Sequence, residues 1–362
     1  MITAQASIDL SALRHNYQQL KSLSGSQQVV AVIKGDAYGH GSVILAKALS
    51  EADQFAVSRL EEAQELRSAG ITQPILLLEG CFCAEDLKLA AMLELSTTIH
   101  CEEQLLDLEQ SELTQPIRVW LKVDTGMHRL GVQPDEVAHY VERLENSDKL
   151  QGHVGFISHF SCADSLEHPT TQQQLACFHQ ATDAYPGEKT LANSAGILFW
   201  SASQFDVARA GIALYGISPS AEHLGTDHGL RPVMTLKTRL IAVRQHPAHQ
   251  PVGYGELWCS ERDTKIGVIA MGYGDGYPRS APAGTPVYIN GRQVPIVGRV
   301  SMDMITVDLG ADAQDKVGDE VEMWGNHLPI ETVANYIGTI PYELTIKLMP
   351  RVVRSYYDEE LS

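Results

Sequence analysis

The run VVAVIKGDAYGHG, residues 29–41, carries a nearly unbroken β-branched stretch into Lys34 and then into a glycine-rich turn holding Tyr38. A lysine amine at the end of a buried strand loses hydration, its pKa falls toward neutrality, and it can form a Schiff base with an aldehyde. Further along, KVDTGMHRLG supplies Lys122 and Arg129, ISHF supplies His159, NSAG supplies Asn193 and Ser194, and RAGI supplies Arg209, Gly211 and Ile212. The small residues and hydroxyl of the last two segments suit a phosphate, which binds backbone N–H groups where side chains leave room. An amine for an aldehyde and a cradle for a phosphate are together the requirements of pyridoxal 5′-phosphate (PLP).

These groups can act together only if the elements before them deliver them to one place. Apolar runs at 29–33, 54–58, 74–78, 95–99, 116–122, 152–158, 189–193 and 205–208 read as strands, and amphipathic stretches at 59–70, 135–146 and 170–185 as crossover helices. Eight βα units in series predict a closed (β/α)8 barrel of the TIM type, whose chemistry collects at the C-terminal ends of its strands. On that reading Lys34, Lys122, His159, Asn193, Ser194 and Arg209 share one rim. An open doubly wound sheet is the alternative, but the G-x-G-x-x-G turn expected after its first strand is absent. From about residue 230 the texture changes to strands joined by turns, with Asn290-Gly291 as a two-residue hairpin signal. The expected fold class is therefore α/β: a PLP-binding barrel over 1–230, then an all-β domain over 231–362. The segment ASIDL near the start reads as a strand that could join either unit.

Each residue also has a plainer reading. Lys34 could be a solvated strand terminus, His159 a satisfied core histidine, Ser194 a helix cap, and Arg209 the partner of Asp206. Their convergence on one rim favours the chemical reading.

Composition narrows the class. With 27 basic against 45 acidic residues and a formal charge of −18, the chain lacks the cationic surface that phosphate backbones require, so no nucleic acid is expected. The start has no basic segment leading into an apolar one, and no 18-residue apolar run occurs anywhere, so a cytoplasmic protein without a membrane partner is expected. The six cysteines (Cys81, Cys83, Cys101, Cys162, Cys177 and Cys259) read as reduced thiols. The CFC at 81–83 lacks a second pair at metal-ligand spacing, so no metal is expected.

Taken in order, AVIKGDAYGHG, LKVDTGMHRLG, ANSAG, RAGIALYG, VGYGELW, GYGDGYPR and GRVSMDM resemble the successive motifs of the alanine racemase family, across residues 30–304. The resemblance implies PLP-dependent racemisation of L-alanine to D-alanine, supplying peptidoglycan synthesis. Lys34 would hold PLP and, once freed, act as the base on one face of the α-carbon. Tyr254 matches the second base, which in the family comes from the partner subunit, so a head-to-tail homodimer with composite sites is implied. Tyrosine is a weak base at neutral pH; the resemblance sets His159 and Arg209 beside it, where positive charge favours the phenolate. Arg209 would also face the pyridine nitrogen, where many PLP enzymes use an acid. Tyr38, Ser194, Gly211, Ile212 and Tyr342 match phosphate-binding positions, with Asn193 beside them. Arg129 would orient the ring hydroxyl and the substrate carboxylate, Met302 and Asp303 would meet that carboxylate from the partner, and Lys122 would be carbamylated.

Two departures stand out. Pro350 precedes Arg351 where many members carry a tyrosine lining the entrance, and Gly35 and Asp36 replace the frequent Ala and Asn. Alternatives are a broad-specificity or serine-preferring racemase, a PLP decarboxylase of the same plan with an acid near the pyridine nitrogen, and a non-catalytic PLP-carrier barrel. A carrier would need neither a β domain nor Tyr254.

Overall fold

In the computed structural model, which describes residues 4–358, the continuous apolar runs of the first two thirds become eight parallel strands. After β1 (Gln5–Asp9) these are β2 (Gln28–Val32), β3 (Gln54–Val57), β4 (Ile75–Leu77), β5 (Leu95–Ile99), β6 (Arg118–Lys122), β7 (Gly155–Ile157), β8 (Lys189–Thr190) and β9 (Val207–Ala210). They pair in chain order from β2 to β8, and β9 returns to pair with β2. Arg209 N donates to Ala192 O at 3.0 Å, which joins β9 to the segment leaving β8 and closes the ring. Helices such as Leu60–Ser68, Val137–Glu145 and Thr170–Thr182 make the crossovers, each burying one face.

Several strands are shorter than their apolar runs, for identifiable reasons. The run at 152–158 pairs only over Gly155–Ile157, because Val154 N donates to Glu145 Oε1 (3.0 Å) and not to a neighbouring strand. The last barrel strand begins at Val207, two residues later than expected, because Asp206 is used as a bracket: its backbone O accepts from Gln28 N and its Oδ2 from Lys189 N.

β1 lies outside the barrel. It runs antiparallel to β10 (Met234–His246) and parallel to Val353–Tyr357 in the second sheet. Its Asp9 then caps the first barrel helix, Leu10–Ser24, by accepting from Ser11 N and Ala12 N. In the second sheet β10 is long enough to pair with Glu320–Trp324 over its first half and Thr264–Ile269 over its second, bending at a register shift between Leu240 and Ala242. Strands Ile305–Asp308, Arg292–Val297 and Pro286–Ile289 complete the circuit, so six strands close without a free edge. The Asn290-Gly291 hairpin forms, both residues having positive φ.

The C-terminal region is mostly strand, as expected. It also contains helices Ile330–Ile337 and Pro341–Ile346. Ile330, Val333 and Ala334 fall on one buried helical face, Gly338 ends that helix in the left-handed region, and Pro341 opens the next. Among the described residues, no helix is long and apolar enough to cross a membrane, and no cluster of His, Cys, Asp and Glu could hold a metal ion. The six cysteines are free.

Candidate active site

Lys34 leaves β2 directly into an unusual turn. Gly35, Asp36, Ala37 and Tyr38 all have φ between 53° and 62°, forming one left-handed turn. Such a conformation costs about 1–2 kcal/mol for each residue with a side chain, so the surroundings must enforce it. Asp36 Oδ1 accepts from Ser42 N (2.8 Å), Gly35 N donates to Glu62 Oε1 (2.6 Å), and Arg354 Nε donates to Gly39 O (2.7 Å). The chain is also pinched there: a Cβ on Gly39 would stand 2.2 Å from Thr345 O. Gly35 and Asp36, which depart from the family's frequent residues, are types that tolerate this region. The turn sends both Lys34 and Tyr38 into one cavity.

That cavity, of about 370 Å³ at the C-terminal ends of the barrel strands, brings together Lys34, Tyr38, Lys122, Arg129, His159, Asn193, Ser194, Arg209, Gly211, Ile212 and Tyr342. A larger hollow of about 560 Å³ opens at the opposite end of the barrel but has no lysine or histidine. Its Arg67 is spent on the carbonyls of Leu93, Ile71 and Gln73, and its Arg118 pairs with Glu188. The smaller cavity holds the chemistry.

Burial lowers the pKa of Lys34; Arg129 and Arg209 push the same way, while Glu79 and Glu62 oppose them. Lys122 is pushed down to about 8 by burial and by the neighbouring Arg209, Arg129 and Lys34. Arg209 is fully buried and donates to Thr190 Oγ1 and Ser158 O, both at 2.6 Å. It makes no pair with Asp206, whose carboxylate is engaged by Lys189 N. Burial pushes its guanidinium down to about 10. His159, with Nδ1 3.5 Å from Arg209 Nη2, is held well below the usual histidine range by burial and by the Arg209 charge, and is neutral at neutral pH.

Arg129 is placed by the loop after β6. Asp124 Oδ1 accepts from Gly126 N and His128 N, each at 3.0 Å, and Val132 N returns to Lys122 O at 2.8 Å. Gly131 permits the fold-back, since a Cβ there would lie 2.5 Å from Asp124 N. The buried Gln174, which sequence reasoning passed over, bonds His159 O (2.9 Å) and Thr125 Oγ1 (3.3 Å), tying the loops after β6 and β7 together.

Ser194, in the same cavity, is not the helix cap. Asn193 takes that role, its Oδ1 accepting from Gly196 N at 3.0 Å. Ser194 Oγ instead accepts from Gly211 N (2.9 Å) and Ala213 N (3.1 Å). A Cβ on Gly211 would sit 3.1 Å from Tyr38 OH and 3.5 Å from Ser194 Oγ, so glycine keeps these hydroxyls and N–H groups within reach of a common oxygen. Burial raises the pKa of the Tyr38 phenol and keeps it a neutral donor; the Tyr342 ring packs 5.8 Å away. An amine of lowered pKa and an anion cradle lining one cavity fit PLP.

Tyr254, Met302 and Asp303 do not line the cavity of their own chain. Tyr254 is 71% and Met302 54% exposed on the second domain, beside the exposed Leu257 and Met304. Asp303 Oδ1 accepts from Arg351 Nη2 at 2.6 Å, and Arg351 also clasps Asp275.

Glu79, absent from the sequence reading, is the one carboxylate lining the cavity among the described residues. It raises the Lys34 pKa against the desolvation that lowers it. Glu79→Gln is therefore expected to move the Lys34-dependent limb of the pH–rate profile to lower pH, by up to ~1 unit for one nearby charge. An unmoved limb would separate Glu79 from Lys34.

The descriptions "Alanine racemase, N-terminal domain" and "Alanine racemase, C-terminal domain" match residues 8–219 and 233–356. The chain is 55% identical to an alanine racemase of Haemophilus influenzae, covering 98% of this chain and 99% of that one. It superposes with a TM-score of 0.96 on the biosynthetic alanine racemase from Pseudomonas aeruginosa, at 44% identity over 99% of this chain and 100% of the other. The alanine racemase from Bartonella henselae, described with covalently bound pyridoxal phosphate, matches at a TM-score of 0.87 and 31% identity, covering 98% and 99% of the two chains.

Proposed function

The chain belongs to the alanine racemase family, and we propose that its Lys34 cavity interconverts L- and D-alanine with Lys34 on one face of the α-carbon and the partner subunit's Tyr254 on the other. The enzyme is a PLP-dependent isomerase, alanine racemase (EC 5.1.1.1). The observation that carries the residue assignment is the pairing, in one cavity, of a lysine with a depressed pKa and the Ser194–Gly211–Tyr38 cradle.

Bound at Lys34, PLP supplies the electron sink that acidifies the α-proton of the amino acid. The side chains do the rest. Lys34 Nζ, its pKa lowered by burial and by the neighbouring arginines, takes or returns the proton on its face. Arg209 would face the pyridine nitrogen of bound PLP as a donor that cannot hand over its proton usefully, which would limit electron withdrawal and side reactions. Of the two groups that the resemblance sets beside an incoming phenol, Arg209 carries the positive charge, since His159 is neutral. Arg129 and the backbone N–H of the partner subunit's Met302, with Asp303 nearby, hold the carboxylate. Carbamylation of Lys122 is supported by its lowered pKa, because only the neutral amine adds CO2; a carbamate carbonyl resonance on adding isotope-labelled CO2 to the folded protein reads it out.

The homodimer is supported by the exposed Tyr254, Leu257, Met302 and Met304 on a domain that contributes none of them to its own cavity. Residues 1–230 are then the PLP-binding unit, with the first strand lent to the second sheet, and 231–362 the unit that completes the partner's site.

The test is α-proton exchange and enantiomer conversion, with PLP, across L-alanine, L-serine and larger amino acids. Rapid alanine conversion with weak serine turnover is expected, a methylene or hydroxyl being worth about 1–3 kcal/mol of discrimination. Broad turnover would favour the broad-specificity reading, with an entrance widened at Pro350; no turnover with PLP bound would leave a carrier.

A further inference from the structure

His40 closes the lysine turn, and none of the chemistry above uses it. Its side chain is fully buried, and Nδ1 lies 3.0 Å from the carbonyl oxygens of both Ala37 and Tyr38. Nε2 is buried too and has no hydrogen-bond partner among the described residues. With two acceptors facing Nδ1, that nitrogen carries the proton and Nε2 is bare. Burial pushes the imidazole pKa down to about 4, so the ring is neutral, with Arg354 the nearby charge. One face stacks on Tyr215 at a centroid distance of 4.5 Å. Tyr215 is itself fixed, its hydroxyl donating to Val32 O at 2.9 Å and its ring lying 5.0 Å from that of Tyr38. The imidazole thus reaches the turn twice, through two carbonyls and through one intervening ring. Residues with side chains do not stay in a left-handed run unless held there.

We propose that His40 is a positioning residue whose Nδ1–H, shared between Ala37 O and Tyr38 O, fixes the left-handed turn and thereby sets the span between the Lys34 amine and the Tyr38 hydroxyl. This rests on the assignment of Lys34 as the PLP tether and of Tyr38 as a phosphate ligand. PLP is a rigid ring with its aldehyde and phosphate a set distance apart, so a turn free to relax cannot keep both ends engaged. A histidine that only filled the core would be replaceable by an apolar residue at a cost in melting temperature alone.

The experiment compares the holoenzymes of His40→Asn, which keeps a short N–H donor, and His40→Leu, which keeps bulk without a donor. Tyr38→Phe is the control for the underlying assignment, and His40→Met replaces the leucine variant should that not fold. Each is read by the rate at which hydroxylamine strips PLP from the holoenzyme, by the pH midpoint of the visible band of Lys34-bound PLP, and by melting temperature. His40→Leu is expected to lose PLP about tenfold faster, the equivalent of one buried hydrogen bond, and to shift the pH midpoint. His40→Asn is expected to stay within about threefold of the parent, a fraction of such a bond. If His40→Leu lowers only the melting temperature while Tyr38→Phe speeds PLP loss, His40 is packing and the proposal is overturned with the assignment intact. If Tyr38→Phe leaves PLP loss unchanged, the Tyr38 assignment itself fails.

Discussion

Replacing Lys34 with alanine is expected to lower racemisation by at least about 10⁴-fold, the upper range for loss of a single positioned acid–base group, and to remove the visible band of lysine-bound PLP. Two functions disappear together, the covalent tether and the base on one face of the α-carbon. The fold should survive. Lys34 has a folded-state pKa below its unfolded value, so between those values the unfolded chain binds more protons. Stability contributed by such a group is lost as pH falls, and at neutral pH the charged amine costs the native state. Alanine removes that cost, so the melting temperature of the PLP-free protein should hold or rise. Added methylamine should restore part of the activity by supplying a free base in the space the side chain vacates. A variant that kept the visible band and its turnover would take Lys34 out of both roles.

Lys34 was legible because a β-branched run ending on lysine is a local pattern, and the same holds for His159, Ser194 and Arg209 at later strand ends. Eight apolar runs separated by helical periods were enough to place those residues on one rim, since a closed parallel barrel leaves little choice about where strand ends meet. What escaped the sequence depends on distant partners. The left-handed turn at 35–38 is held by Glu62, Thr345 and Arg354 as well as by Ser42. Nothing in GDAY by itself announces positive φ at Ala37 and Tyr38. Glu79 follows a leucine run with no motif around it, and only closure of the barrel brings it to Lys34. β1 finds its partners in β10 and in Val353–Tyr357, at the far end of the chain. The helix Ile330–Ile337 is a different case: its apolar spacing was present locally, but the strand-rich sequence around it set the expectation.

Mixing two inactive variants should restore activity, because each proposed site draws Lys34 from one subunit and Tyr254 from the other. In Lys34→Ala homodimers both sites lack the lysine, and in Tyr254→Phe homodimers both lack the phenol, with proton transfer impaired on one face of the α-carbon. Random pairing of the two chains makes half of the dimers mixed, and a head-to-tail mixed dimer holds one site with both groups and one with neither. About a quarter of the parental site count should therefore return, following from closed two-fold pairing alone. The reciprocal mixture is the sharper test. When the unmodified chain is paired with a chain carrying both substitutions, every mixed dimer has two broken sites, one missing Lys34 and one missing Tyr254. Activity should then fall to about a quarter of the parental site count, whereas self-contained chains would retain about half. The exposed Tyr254 and Met302 on a domain that leaves its own cavity without them are the reason to expect the first result. Retention of half would require Tyr254 to reach the Lys34 of its own chain, and the composite site would have to be abandoned.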